Sequence, residues 1–495
     1  MTTEKLNIVV RRGLWCLVAA YVLLHLCVTV GWMVSPWVNE YREWAQADAV
    51  LQLFHLHGGE LYGGPGSTSL YVYGFLFPGL GYLLTLMTGL EPLLVLRLAA
   101  YVCTIGAAAL AASVVWKRSG SRLYSALAFA IMLSADWNNV TGTATASPLG
   151  MLVMLGSLMA AERKLVGWSA LLTVVCFFVK PYFVGVWLPL QIFFFQLSRR
   201  QGWTYLGLCL SLGLASALWV HYLFPNYFVY NVVHHVAAAS ADWRHLAVQL
   251  LWSIFLYLPL FAVFVNACKE QRLKAFGDVY GLAALCLFLL WLRLGLHTGA
   301  FMSYVLHQWL PPLVVFALSK LKDVHGRRRR LLLAGWIVCV SLFVGGFLLT
   351  LPMFPSQTER AQWERVASRM DLLPTDSTLC ISPLFAQHAE ALCLPSRDNG
   401  MTQFYSTLSS PSPFMRALIP ETKAFGADAT THEMQLLRRH DGGLYAYVVA
   451  DDRCVVPSDS LRALGYDEKD ADTVRVGVHR VGVRLFVLPD SLISR

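Results

Sequence analysis

The sequence predicts an α-helical polytopic membrane protein of about 11–13 spans with a C-terminal extracytoplasmic α/β domain. Two observations carry this prediction. Of 495 residues, 56% are hydrophobic and 14% charged, against about 25% charged in an average soluble protein, and the mean hydropathy is +0.53. The charge is also unevenly divided: residues 1–353 hold 24 Lys and Arg against 12 Asp and Glu, whereas residues 354–495 hold 15 against 18. The first part reads as a membrane domain and the second as a water-soluble one. A soluble globular enzyme and a disordered chain are excluded. The net charge of +9 reflects topology and implies no nucleic-acid partner.

Apolar runs long enough to cross a bilayer lie near 13–35, 70–90, 93–116, 203–223, 248–267, 277–295, 301–319 and 331–353. Shorter runs occupy 123–135 and 147–161, and the stretch 165–197 reads as two short spans broken at Lys180-Pro181. Met1–Arg12 is not a cleavable leader on a soluble protein, because apolar spans continue along the chain. Basic clusters at Lys5/Arg11/Arg12, Lys117/Arg118/Arg122, Arg163/Lys164, Arg199/Arg200, Lys269/Arg272/Lys274 and Lys320–Arg330 mark the cytoplasmic face. Alternation from Lys117 onward then places residues 354–495 outside. An odd number of crossings is required between about residue 35 and Lys117, yet two apolar runs are present. Either 70–90, rich in Gly and Pro, does not fully cross, or a short span hides within 44–62.

Five basic residues escape the sidedness rule: Arg42, Arg97, Lys180, Arg244 and Arg293. All fall in outer loops or near outer ends of spans. Glu40, Glu43, Asp48, Glu60, Glu91, Asp136 and Asp242 share those positions, with His55, His57, His234, His235, His297 and His307. An ionisable group in or beside lipid is expensive, so function is its default reading, against a snorkelling side chain or a local ion pair. Lys180 and Arg293, bracketed by apolar residues, favour function; Arg42 and Arg244, on loops, read equally well as surface charge. Carboxylates and cations together at one face suit transfer chemistry on a lipid-linked phosphate, a carboxylate taking a proton while cations neutralise the phosphate. A transporter would set such groups near the bilayer midplane, and the span centres here are almost free of acids.

The first outer segment, Asn39-Glu40-Tyr41-Arg42-Glu43-Trp44-Ala45-Gln46-Ala47-Asp48, runs into HLHGGELYGG and YVYGFLFPGLGYLL. It resembles the GT-C glycosyltransferases, in particular the bacterial relatives of protein O-mannosyltransferases and of the lipid A aminoarabinose transferase. Arg97 in LLVLRLAAYV, the Lys-Pro break in FFVKPYF and the late segment HTGAFMSYVLHQWLPPL are similar to landmarks of that class. The resemblance covers about residues 10–350. Two departures stand: TGTATASPLGM has no charge where relatives often carry an acid, and His307 replaces an acid after the late tyrosine.

The resemblance implies a GT-C-like membrane domain over 1–353, with its first outer loop at 36–69, and an inverting transfer of sugar at the outer face. The donor would be a polyprenyl-phosphate-linked sugar and the acceptor a hydroxyl of a glycan, lipid or protein. It implies a first-loop carboxylate as base, with Glu43 first in order, Asp48 second and Glu40 third. Lys180, Arg293, His297, Arg97, His235, Tyr304 and His307 are the candidate substrate contacts. The expected location is a bacterial inner membrane. No cofactor is expected and no motif supplies metal ligands; the 11 cysteines contain no CxxC pair. A lipid-linked glycan flippase and a non-catalytic assembly subunit stay open as alternatives.

Smaller features carry less. Adjacent His234 and His235 point different ways and so poorly bind one metal, the sequon at Asn139 is a short match, and GGPGS at 63–67 lacks the Lys of a phosphate loop. In residues 354–495, QTERAQWERVASRM reads as an amphipathic helix, STLCISPLF and GLYAYVVADDR as strands, and TVRVGVHRVGVRLFVLP as a hairpin. Cys380 and Cys393 are a possible disulfide, leaving Cys454 free, and His388, Asp451 and Asp452 read as surface groups. This domain is expected to cover the site or to bind acceptor.

Overall fold

The computed structural model describes residues 3–35, 41–54, 61–62, 71, 73–135, 144–228, 243–271, 277–298, 305–350, 356–382, 384–385, 388–389, 437–439, 443–452, 458–476 and 479–489. In the membrane part the helices are α1 (Thr3–Met33), α2 (Tyr41–Phe54), α3 (Leu76–Thr88), α4 (Pro92–Ser119), α5 (Arg122–Leu133), α6 (Ser147–Glu162) and α7 (Val166–Val179). They continue as α8 (Trp187–Leu197), α9 (Arg199–Leu223), α10 (Trp243–Leu256), α11 (Leu258–Gln271), α12 (Val279–Thr298), α13 (Leu310–Lys320) and α14 (Gly326–Thr350). Among the described residues, Ile8–Met33, Pro92–Ser119 and Arg199–Leu223 are each long and apolar enough to cross a membrane, and α10 with α11 qualifies as a pair bent by 86°. Shorter apolar helices fill the rest of the bundle. The chain is a multi-pass integral membrane protein with a C-terminal extracytoplasmic domain.

The crossing count closes. Arg97, in the second turn of α4, donates to the carbonyls of Met33 and Ser35 at the end of α1. Helix α4 therefore begins at the face where α1 ends and supplies the single crossing required before Lys117. The 70–90 run does not span as one unit: it becomes α3, 13 residues or about 20 Å, short of a hydrocarbon core of about 30 Å. Gly89, at φ +66, ends α3 and donates its N–H to the Thr85 carbonyl, a left-handed cap that glycine takes without strain. Helices α3 and α2 pack with the start of α4 through Phe54, Phe77, Val50 and Leu96. The 44–62 stretch holds α2, a 14-residue helix in that same outer layer.

The expected break in 165–197 is present. Helix α7 ends at Val179, Lys180 is extended, and a 3-10 turn over Pro181–Val186 leads to α8. Proline has no N–H for the i→i−4 ladder, so the helix stops before it.

The C-terminal domain is α/β. Helix α15 (Gln357–Met370) starts at a capping box, Ser356 and Glu359 bonding reciprocally. Strands β1 (Thr378–Cys380), β2 (Tyr447–Asp451), β3 (Asp467–Val476) and β4 (His479–Val487) form a sheet of order β1-β2-β4-β3. The β1–β2 pair is parallel and the other two are antiparallel. Helix α15 covers one face through Val366 and Met370. The short helix α16 (Ser458–Ala463) contributes Leu461 to the other face. Helix, strands and hairpin lie where the patterning put them. The proposed Cys380–Cys393 pairing involves Cys393, which, like Cys454, lies outside the described residues.

Candidate functional site

Two polar pairs, one buried and one half-buried, lie at the outer end of the bundle. On α2 the i, i+4, i+7, i+11 face is Glu43, Ala47, Val50 and Phe54, and it packs against α3 and α4. This places Glu43, 0% exposed, opposite Arg97, 2% exposed. The guanidinium grips the carboxylate in bidentate fashion, Nε to Oε1 at 2.7 Å and Nη2 to Oε2 at 2.9 Å. Its Nη1 donates to the carbonyls of Met33 at 3.1 Å and Ser35 at 2.8 Å, acceptors that a helix end leaves without intrahelical partners. The backbone N–H of Ala144 adds a bond to Glu43 Oε1 at 2.9 Å. Arginine suits this position because its planar fork satisfies a carboxylate and two carbonyls at once.

Lys180 forms the second pair. Its Nζ donates to the Ser147 hydroxyl at 3.0 Å and sits 4.8 Å from the centroid of the Tyr73 ring, within cation–π range. Ser147 and Pro148 open α6, and this helix start presents N–H groups that favour negative charge. The strip Ala144–Ser147 thus meets Glu43 at one end and Lys180 at the other.

Tyrosines brace the space between. Tyr71 donates its hydroxyl to Gln46 Oε1 at 2.6 Å, and Tyr62 donates to the Tyr73 carbonyl at 2.9 Å. Burial pushes both phenols well above the ordinary tyrosine range, so they stay neutral donors. Gly74 lies so close to α7 that a Cβ there would sit 1.8 Å from the Phe178 carbonyl oxygen. Only glycine permits that approach.

The late segment reaches the same end of the bundle. Tyr182, two residues past Lys180, packs its ring 5.7 Å from that of Trp291 on α12. Trp291 in turn donates its indole N–H to Gln308 at 3.1 Å. His307, in a π-turn over Val305–Trp309, is buried. Arg293 and His297 occupy the last turns of α12, just past Trp291.

The other expected residues are distributed as follows. Asp48 is half-buried on α2 and accepts from Gln52 at 2.8 Å. Glu91 occupies the N-cap position of α4 and is exposed; partial desolvation raises its carboxyl above the ordinary range, partly opposed by Arg97. Arg244 is exposed in the first turn of α10. Glu40, His55, His57, Glu60, Asp136, His234, His235, Asp242 and Tyr304 lie outside the described residues, as do Asn139 and the 63–67 loop. In the C-terminal domain, Asp451 is buried and accepts from the Ser382 hydroxyl and the Leu384 N–H. Asp452 pairs with Arg484, and His388 contacts Asp371. Among the described residues no group of three His, Cys, Asp or Glu side chains is placed to hold a metal.

Ser147, the Ala144 amide, Gln46, Tyr71 and Tyr73 were not singled out by the sequence. The Ser-Pro pair in TGTATASPLGM was the available signal, since Pro favours the first turn of a helix and a helix start is an anion-favouring place.

No family model matches this sequence, and no curated protein matches it. Solved structures do. ArnT from Cupriavidus metallidurans bound to undecaprenyl phosphate superposes with a TM-score of 0.58 at 12% identity, over 94% of this chain and 97% of that one. Its apo form gives 0.58 at 13% identity over the same shares. The oligosaccharyltransferase of Archaeoglobus fulgidus in the apo form gives 0.51 at 10% identity, over 88% of this chain and 69% of that one. The chain shares the fold of these solved structures.

Proposed function

We propose that this protein transfers a sugar from a polyprenyl-phosphate-linked donor to an acceptor hydroxyl of a glycan, lipid or protein at the outer face of a bacterial inner membrane. The observation that carries this reading is the Lys180–Ser147 pair, a cation at a helix break beside the start of α6. It stands in the fold of ArnT, whose crystal structure holds undecaprenyl phosphate. A cation in a partly desolvated site is worth far more to a phosphate than one in water.

Lys180 holds the donor phosphate, joined by Arg293 and His297 from the end of α12 and by His307. His235 and Tyr304 complete the substrate contacts from the outer segments. Asp48 serves as general base in preference to Glu43, because it is half-buried whereas both Glu43 oxygens are engaged. The acceptor oxygen bonds to the anomeric carbon as that carbon's bond to the phosphate oxygen breaks. The hydroxyl proton passes to Asp48, and polyprenyl phosphate departs with its charge held by the cations. Attack opposite the leaving group inverts the anomeric centre. Among the described residues of the membrane part, the charged side chains buried from solvent are Glu43 and Arg97, at one end. That favours an enzyme over a transporter, which needs charge near the midplane.

The test is transfer by the purified protein in nanodiscs, using radiolabelled polyprenyl-phosphate sugars and acceptor extracts. Label should move to acceptor with inverted configuration. Release of no sugar from any donor, with translocation of the intact lipid instead, would favour the flippase reading.

A further inference from the structure

We propose that Glu43 and Arg97 are positioning residues, a buried tie that holds the Ala144–Ser147 strip and through it aims Lys180 at the donor phosphate. This rests on the lipid-phosphate reading above and assigns these two residues a role different from base and phosphate contact.

The geometry carries the assignment. Glu43 Oε1 accepts from Arg97 Nε and from the Ala144 N–H, and Oε2 accepts from Arg97 Nη2. The site is closed to solvent, with both side chains at 2% exposure or less. Among the described residues, both carboxylate oxygens are engaged by donors that hold the side chain in place, which suits a fixed tie better than a base that must meet an acceptor hydroxyl. The remaining Arg97 amine is spent on the end of α1, not turned toward an open space. The tie therefore fastens four pieces of chain: the end of α1, α2, α4 and the residues before α6.

The consequence lies three residues beyond Ala144. Ser147 accepts from Lys180, so the strip that Glu43 anchors is the strip against which the lysine is oriented. Gly150, one turn further, packs so tightly on the Phe183 ring that an added Cβ would approach it to 2.4 Å. The start of α6 is thus seated on the 3-10 turn that follows Lys180. A shift of the strip moves both the Ser147 hydroxyl and the bed of that turn. Displacements of about 1 Å far from the reacting atoms are enough to lower rates about 100-fold.

The experiment measures undecaprenyl phosphate affinity and the pH profile of sugar transfer for the nanodisc-embedded protein. The variants are Glu43→Gln, Arg97→Lys, Lys180→Ala and the double Glu43→Gln/Lys180→Ala. Glu43→Gln and Arg97→Lys should each weaken binding about tenfold and leave the acid limb of the pH profile in place. The double variant should bind no worse than Lys180→Ala within about twofold, since coupled residues are non-additive.

Unchanged lipid binding by Glu43→Gln, together with a slow rate and a vanished acid limb, would make Glu43 the base and overturn the proposal. Multiplicative losses in the double variant would also overturn it. If Glu43→Gln does not fold, Glu43→Asp decides. It keeps a carboxylate but shortens the reach, so a positioning role predicts weakened binding and a base predicts intact binding. Wild-type protein that neither binds the lipid nor transfers sugar would instead remove the functional reading itself.

Discussion

The bundle is tied at both ends by an arginine, and the two ties differ in how wet they are. At the outer end Arg97 and Glu43 are closed off from solvent, joined to backbone groups of two further segments. At the inner end Arg118, closing α4, bonds Glu162 at the end of α6 and Asp278 before α12 at 2.8 and 2.7 Å. Here the side chains keep 21%, 32% and 17% exposure. Tyr280 lies under the guanidinium, and Lys322 donates to the Arg118 carbonyl. One tie sits in a dry site with a fixed partner set. The other sits at the membrane edge, where water and a second acid can take over. The dry tie is where precision is bought at the risk of fragility, and it adjoins the candidate chemistry.

The sharpest way to break this comparison is to remove one partner at each end. Arg97→Ala leaves a buried carboxylate and two unpaired carbonyls and should destabilise by about 3–5 kcal/mol. Arg118→Ala, at a partly exposed site, should cost about 1–2 kcal/mol. Thermal unfolding in one detergent, with retention on a sizing column, compares the two. Equal losses would erase the distinction between the dry and wet ties.

Gly74→Ala ranks next. It drives a methyl into the Phe178 backbone, so the 71–75 segment must move, at about 1–3 kcal/mol. Transfer activity should fall with it, because Tyr73 covers Lys180. Activity at the wild-type level would show that this segment does not shape the site. Lys180→Ala should fold normally and lose about tenfold or more in affinity for the lipid phosphate. Arg244→Ala, on an exposed first turn, should change it less than twofold. Titration with undecaprenyl phosphate reads both.

The smallest effect belongs to Glu91. Its side chain stays exposed, but partial desolvation raises its folded-state carboxyl above the ordinary range, opposed by Arg97, so ionisation at neutral pH works weakly against folding. Glu91→Gln should raise the unfolding temperature slightly at pH 7. The gain should shrink as pH falls through the raised value and vanish below the ordinary carboxylate range, where wild type is neutral in both states. A gain that grows on acidification would reverse the sign of the argument.

What was legible in the chain was what local chemistry dictates. Lys180-Pro181 announced a helix end because proline cannot continue the ladder, and the helix and strands after residue 356 followed their periodicities. Arg97 and Glu43 each stood out as expensive charges near lipid, but their pairing did not. They are 54 positions apart, and no sequence pattern records which buried charge meets which. The uncharged TGTATASPLGM segment read as a gap in the pattern, whereas it contributes a backbone N–H and a serine hydroxyl, groups that almost any sequence offers. The 70–90 run was long enough to span by composition; Gly89 and the packing of α3 on α2 and α4 shorten it.

The most direct test of the account uses a polyprenyl phosphate carrying a photoreactive group near its phosphate. After illumination in native membranes, peptide mapping locates the adducts. Labelling is expected at the outer end of the bundle, within residues 73–75, 144–150 and 177–183, suppressed by an excess of undecaprenyl phosphate. Adducts gathered around Arg118, Glu162 and Asp278 at the inner end, with none in those three segments, would contradict it.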